Sequence, residues 1–260
     1  MRWFVLLVAM LAMLAAESGY GRVSAQARRA LTVAAASDLQ AALPEVIAQF
    51  ERESNATVTV SFGSSGNFFA QIQNGAPYDV YLSADIDYPK QLVATGHADA
   101  SSLYQYARGR LVLWTRKDSG VDISGGLRSL TDARVMRIAI ANPKYAPYGR
   151  AAEAALRYEK IYDAVRGKLV LGENISQTAQ LVDSGNASVG IIALSLAVGP
   201  ALRARGTYNE IPAMAHPPID QAAVIVSASA RKPLAREFLA YLKRPDISEH
   251  LHRFGFTAGR

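Results

Sequence analysis

Five places in this sequence gather small hydroxyl, amide or glycine residues directly after an apolar run or at the start of a helix-length segment. The run 31–36 leads into Ser37-Asp38, 57–62 into Gly63-Ser64-Ser65-Gly66-Asn67, and 79–83 ends in Ser83-Ala84-Asp85. Later come Pro147-Tyr148-Gly149 and Asn174-Ile175-Ser176. The first turn of a helix presents unpaired N–H groups and roughly half a positive charge, so it attracts anions without a basic side chain. A serine adds a hydroxyl donor, and Ser and Gly let a ligand approach the backbone closely. Four convergent starts would supply up to about +2 of partial charge, comparable with a tetrahedral dianion. Ser, Asp and Asn are also the usual N-caps, so capping alone accounts for any one junction. The Gly63–Asn67 loop offers more consecutive donors than a cap requires, and either reading stands there.

The elements that must hold these junctions are legible from periodicity. Strand-type runs near 31–36, 57–62, 79–83, 109–115, 136–141, 168–171, 188–192 and 221–227 alternate with helical segments near 38–53, 65–74, 86–95, 149–160, 176–184 and 230–243. That alternation predicts parallel α/β sheets, whose ligands bind at the carboxyl edge of the strands. The junctions are therefore candidates for one shared site.

Composition narrows the function classes. The chain has 260 residues, no cysteine, 50% hydrophobic and 19% charged residues and a net charge of +6. Without cysteine there is no disulfide scaffold, thiolate metal site, cysteine nucleophile or lipid anchor on a cysteine. The basic residues are scattered, without the dense run or aromatic signature of a nucleic-acid binder. Met1-Arg2, the apolar stretch Trp3–Ala16 and then Val23-Ser24-Ala25 predict a cleaved secretory signal peptide over residues 1–25. No later stretch is apolar enough to span a bilayer, so the mature chain is expected to stay out of the membrane. His250 and His252 do not share a helical face, which speaks against a metal site. A serine hydrolase would need an activated serine with a histidine and an acid. No G-x-S-x-G elbow occurs, and neither does a nucleotide phosphate loop.

Longer segments carry a resemblance. Ala34-Ala35-Ala36-Ser37-Asp38-Leu39, Ser61–Asn67, Asn74-Gly75-Ala76-Pro77-Tyr78-Asp79 through Asp85, and Asn142-Pro143-Lys144-Tyr145-Ala146-Pro147-Tyr148-Gly149-Arg150 occur in order. Gly172-Glu173-Asn174-Ile175, Gly190–Ser195 and Phe254-Gly255-Phe256 follow. Together they resemble the periplasmic molybdate-binding proteins of ABC importers over essentially the whole mature chain. The resemblance implies an α/β, two-lobed periplasmic-binding-protein fold of type II-like form, with the ligand cleft between the lobes. Residues 26–107 and 213–260 would form lobe I, and 108–212 lobe II.

The resemblance further implies capture of molybdate, and of tungstate, with delivery to an inner-membrane permease driven by a cytoplasmic ATPase. The expected protein is a periplasmic monomer that is not an enzyme, with no cofactor, no catalytic residue and no direct ligand of a metal cation. Carried over by position, Ser37 and Ser65 would each give a hydroxyl and an N–H, and Tyr148 and Ile175 backbone N–H groups. Asp38, Ser64 and Ala193 are possible further contacts. Ala193 stands where many members carry a tyrosine hydroxyl. Asp38 is expected to serve the helix dipole and point away from the cleft; its alternative is to accept a proton from a protonated oxyanion such as hydrogen phosphate. Another tetrahedral oxyanion, phosphate or sulfate, and an extracytoplasmic serine hydrolase are the competing functions.

Overall fold

Alternating apolar residues that are small on one face and large on the other let a strand be covered by helices on both sides. The strand β1 (Arg29–Ala36) does this. Leu31, Val33 and Ala35 face a core with Phe50 and Phe238, while Ala34 faces Phe68, Ile72 and Leu92. The computed structural model describes residues 29–259. The expected signal peptide lies outside them.

After a 3₁₀ turn at Ser37–Gln40 the chain runs through α1 (Leu43–Ser54), β2 (Ala56–Gly63), α2 (Ser65–Gln73), β3 (Val80–Ser83), α3 (Asp87–Ala94) and β4 (Tyr104–Gly109). It continues with β5 (Leu111–Arg116), β6 (Ile138–Ala141), α4 (Pro147–Tyr158), α5 (Tyr162–Val165), β7 (Leu169–Gly172), α6 (Ile175–Asp183), β8 (Val189–Ala193), α7 (Leu194–Ala197) and β9 (Gly206–Glu210). The last elements are β10 (Ile219–Ile225), α8 (Lys232–Leu242), α9 (Pro245–Arg253) and β11 (Thr257–Ala258).

Two sheets result, one ordered β11-β4-β10-β3-β1-β2 and the other β7-β6-β8-β5-β9. The chain passes from the first to the second at Arg110 and returns between Glu210 and Ile219. The second sheet is built around Trp114, Ile138, Ile140, Leu156 and Ile191, all buried. The fold is thus two α/β lobes. Among the described residues no helix is long and apolar enough to cross a membrane.

The sheets are mixed rather than parallel. β2 and β3 run parallel to β1, and β7 and β8 parallel to β6, as periodicity predicts. The strands that carry the crossings do not: β10 is antiparallel to β3 and β4, and β5 to β8 and β9. A strand entering from the other lobe can pair in either direction, because it is freed from the helical crossover that a parallel neighbour needs. Two elements also escape the pattern. β9 is an exposed edge strand of polar residues, and β4 alternates Tyr, Gln, Tyr, Ala, Arg and Gly with little apolar signal.

The parallel strands fix where ligands can bind. β1, β2 and β3 all deliver their carboxyl ends to one edge, and β6 and β7 do the same in the second lobe. The two edges face each other.

Candidate functional site

Residues from both edges enclose one small cavity, of about 10 Å³, lined by Ala36, Ser37, Asp38, Gly63, Ser64, Ser65 and Ala84 from one lobe and Ala146, Pro147, Tyr148 and Ile175 from the other. A volume of that order is about that of one water-sized group, so the lobes meet closely around a small polar pocket. Ser37, Ser65, Tyr148 and Ile175, far apart in sequence, are brought together here, with Ser64 and Asp38. Ala193 is not in the wall: it ends β8, fully buried, opposite Leu111.

The two serines are held in a way that frees their protons. Ser65 Oγ accepts the Ala84 N–H at 3.0 Å, and Ser37 Oγ accepts the Ser176 N–H at 3.3 Å. With an oxygen lone pair engaged by a backbone amide, each hydroxyl is left as a donor. Ser64 is the N-cap of α2 by position but makes no side-chain cap bond, and its buried Oγ has no partner. A cap serine that does not cap is free to face a ligand.

Three α-helices begin at the cavity. Ser65 starts α2, Pro147-Tyr148 starts α4 behind Ala146, and Ile175 starts α6, whose N-cap Asn174 accepts the Gln177 N–H at 3.0 Å. First-turn amides have no acceptor within their own helix, so these starts offer donors to an anion. The fourth start differs from expectation. The segment expected as one helix over 38–53 is a single 3₁₀ turn followed by a separate α1, because two residues break the run before Pro44. Ser37 therefore supplies its own donors but little helix dipole.

Asp38 also departs from expectation. It does not point away to serve a dipole; its carboxyl is fully buried in the cavity wall, where Oδ2 accepts the Tyr148 hydroxyl at 3.0 Å and the Gln221 side-chain amide. Oδ1 is buried without a partner. Gln221 sits where β10 shifts register against β4, a bulge of the kind that re-aims a side chain. Its Oε1 accepts the Tyr106 hydroxyl at 2.8 Å, which turns the amide N–H₂ toward Asp38. Gly109 leaves the space: a Cβ there would overlap the Tyr148 hydroxyl and lie 2.9 Å from Gln221 Nε2. Gln221 and Gly109 belong to no motif, and nothing in a single sequence marks them.

Burial pushes the Asp38 carboxyl up from 3.8 to about 6, against the opposing effect of its hydrogen bonds from Gln221 and Tyr148. Burial, with the nearby Asp38, likewise holds the Tyr148 hydroxyl well above its ordinary range. The folded carboxyl keeps its proton to a higher pH than the unfolded one, so the stability it contributes is present below about pH 4 and lost as pH rises through about 6. The loss is on the order of 3 kcal/mol. Asp38→Asn is therefore expected to raise the melting temperature of the unliganded protein at neutral pH and to change it little near pH 4. Equal shifts at both would contradict this account.

The lobes touch around the cavity. Besides Tyr148 to Asp38, the Gly66 N–H donates to Tyr145 O at 2.9 Å, Ser195 Oγ to Asp38 O at 2.7 Å, and Arg150 to Tyr88 Oη at 3.1 Å. Arg150 also pairs with Asp85, and Ser176 Oγ with Gln40. Among the described residues no Lys, Arg or His lines the cavity, and Asp38 is its one titratable carboxyl. Two larger clefts lie elsewhere. One of about 620 Å³ flanks the crossings, but its Arg108 and Arg110 are already paired with Asp220 and Glu210. The other, of about 520 Å³ beside Pro44 and Leu202, is walled mainly by apolar atoms.

Known proteins share this architecture. The molybdate-binding protein ModA of Azotobacter vinelandii is 37% identical over 239 residues, covering 92% of this chain and 94% of its own. That of Rhodobacter capsulatus is 38% identical over 213 residues, 82% of each. The solved structure of the Azotobacter vinelandii periplasmic molybdate-binding protein superposes with a TM-score of 0.83 at 34% identity, covering 88% of this chain and all of that one. A family model described as bacterial extracellular solute-binding protein matches residues 31–257. With two facing α/β lobes and a donor-lined cavity at their shared edge, the chain belongs to the bacterial extracellular solute-binding proteins.

Proposed function

We propose that this protein captures molybdate, and tungstate as a close isostere, in the periplasm and delivers it to an ABC importer made of a membrane permease and a cytoplasmic ATPase. The observation that carries this reading is the cavity wall, in which neutral N–H and O–H donors from both lobes converge with no cation. The molybdate-binding relatives at 37–38% identity support the choice of ligand. In this reading Ser37 and Ser65 donate hydroxyls and amides, Tyr148 and Ile175 donate backbone N–H groups, and Ser64 adds a hydroxyl. All of them address the oxygens of the anion and none the metal atom. A dehydrated dianion is costly to bury, and donors on every oxygen offset that cost. A cradle fitted to molybdate leaves the smaller sulfate with stretched hydrogen bonds.

The lobes, expected as residues 26–107 with 213–260 and residues 108–212 but divided at Arg110 because β4 runs to Gly109 in the first sheet, would move about the two crossings as rigid bodies. A ligand bridging them favours closure in proportion to its preference for the closed state. The protein then acts as a monomeric carrier rather than an enzyme, and its net positive charge, +6 for the whole chain and +5 once Arg2, Arg22 and Glu17 are removed with residues 1–25, speeds the arrival of anions without selecting among them.

Asp38 gives a second reading some footing, since a buried carboxylate in the wall could accept the proton of hydrogen phosphate. A thermal-shift panel with molybdate, tungstate, sulfate and phosphate, run beside an esterase assay, separates the possibilities. At about a hundred times the dissociation constant, molybdate and tungstate should raise the melting temperature by roughly 5–10 °C, without ester turnover. Stabilisation by phosphate alone would favour the second reading, and turnover without stabilisation would overturn both.

A further inference from the structure

The mature protein carries an acid in the wall of a cavity that receives a dianion, and the hydrogen bonds around that acid are unevenly distributed. We propose that Asp38 makes capture proton-coupled: in the closed, loaded cleft its carboxyl is a neutral acid, the proton on Oδ1 faces a ligand oxygen, and each dianion is taken up together with one proton. This rests on the oxyanion reading of the same cavity.

The donor and acceptor inventory supports it. Oδ2 accepts from Tyr148 and from Gln221, whose amide is oriented by Tyr106. Both bonds survive protonation, because a neutral carboxyl keeps its carbonyl oxygen as an acceptor. Oδ1 is the one oxygen with no partner, and it is buried. As an anion that atom would be an uncompensated charge beside the ligand; as an O–H it is a donor in need of an acceptor, which the ligand brings.

Among the described residues no neighbouring charge relieves the ionised form. The titratable groups facing the carboxyl are Tyr148 on α4 and Tyr106 on β4, both neutral. Of the elements packed on the 37–40 turn, β2 and α7 carry no titratable residue. β1 carries only Arg29 at its far end, α6 only Asp183 at its last residue, and α1 only the outward Glu45, Glu51, Arg52 and Glu53. On α4, Arg150 is engaged by Asp85, and on β10, Asp220 by Arg108.

Magnitudes decide the protonation state. Two unit charges about 4 Å apart at an effective dielectric of about 20 disfavour the ionised pair by roughly a thousandfold. Burial already holds the free carboxyl at about 6, so protonating it at neutral pH takes a factor of only about ten. Protonation wins.

Calorimetric titration of the native protein with sodium molybdate at about pH 7, in buffers of different ionisation enthalpy, reads the proton directly. The expected uptake approaches one proton per molybdate, and affinity should fall by up to tenfold per pH unit between about pH 6 and about pH 8, where molybdate remains the dianion. Asp38→Asn mimics the neutral acid, its amide oxygen accepting from Tyr148 and Gln221 and its N–H₂ donating to the ligand. It should show no proton uptake and a flat pH profile, and bind roughly tenfold or more tightly than the native protein at about pH 8. Molybdate binding with heats independent of buffer would overturn the inference while leaving the ligand assignment intact, as would a native pH slope in Asp38→Asn. A native protein that does not bind molybdate would overturn the ligand assignment and the inference with it.

Discussion

Replacing Ser37 and Ser65 together with alanine should lower molybdate affinity by roughly a hundredfold to ten-thousandfold while the chain still folds. Each serine holds its oxygen against a backbone amide, Ser65 against Ala84 and Ser37 against Ser176, which leaves the O–H to a ligand. A hydrogen bond to a charged group contributes about 1.5–3 kcal/mol, so two lost together amount to about 3–6 kcal/mol, the range just given. The variant also leaves the Ala84 N–H and the Ser176 N–H without their side-chain acceptors, at a cost of about 1–3 kcal/mol for each that stays buried. Melting curves must therefore accompany the titration. Ser102→Ala, at a buried serine that bonds Asp99 O and the Ile225 N–H away from the cavity, is the matched control and should bind normally. A folded double variant with native affinity would remove both serines from the site.

That the serines were legible in sequence while their neighbours were not has a physical reason. Ser37, Ser65, Tyr148 and Ile175 sit where a strand ends or a helix begins, and such boundaries are written locally in apolar periodicity and small residues. The 3₁₀ turn at 37–40 was less legible, because a continuous amphipathic pattern does not reveal that the chain pauses before Pro44. The mixed sheets were missed for a related reason: periodicity reports that a strand exists, whereas its direction depends on which lobe supplies the neighbour. The Asp38–Tyr148–Gln221 cluster lies furthest from sequence. Its members come from the end of β1, the start of α4 and a bulge in β10, and they meet only because Gly109 has no side chain to fill the space between them. An isolated acid after a serine reads as a helix-start residue, and only the folded chain reveals it as buried.

Closure itself should be weakened if Gly66 gains a single methyl group. Gly66 lies in the first turn of α2, where alanine is the better helix former by about 1 kcal/mol, so the substitution suits its own lobe. The obstacle is the other lobe. A Cβ at Gly66 would stand 2.7 Å from Tyr145 O and 3.1 Å from Tyr145 Cα, both backbone atoms, and 2.8 Å from the Tyr88 hydroxyl. The tyrosine side chain can swing aside; the backbone of residue 145 is held by its N–H to Asn142 O bond, so the lobes themselves must part. Parting them stretches the Gly66 N–H to Tyr145 O bond and draws Tyr148 and Ile175 back from the serines. Overpacking of this kind costs about 1–3 kcal/mol, borne only by the closed state, and so lowers affinity by roughly fivefold to 150-fold. Because capture begins from the open form, the loss should appear as faster release rather than slower association. Stopped-flow rates and small-angle scattering with and without molybdate check this: Gly66→Ala should melt at or above the native temperature yet stay more expanded than the native protein when molybdate is present. Native affinity together with full compaction would mean that the contact at Tyr145 does not govern closure.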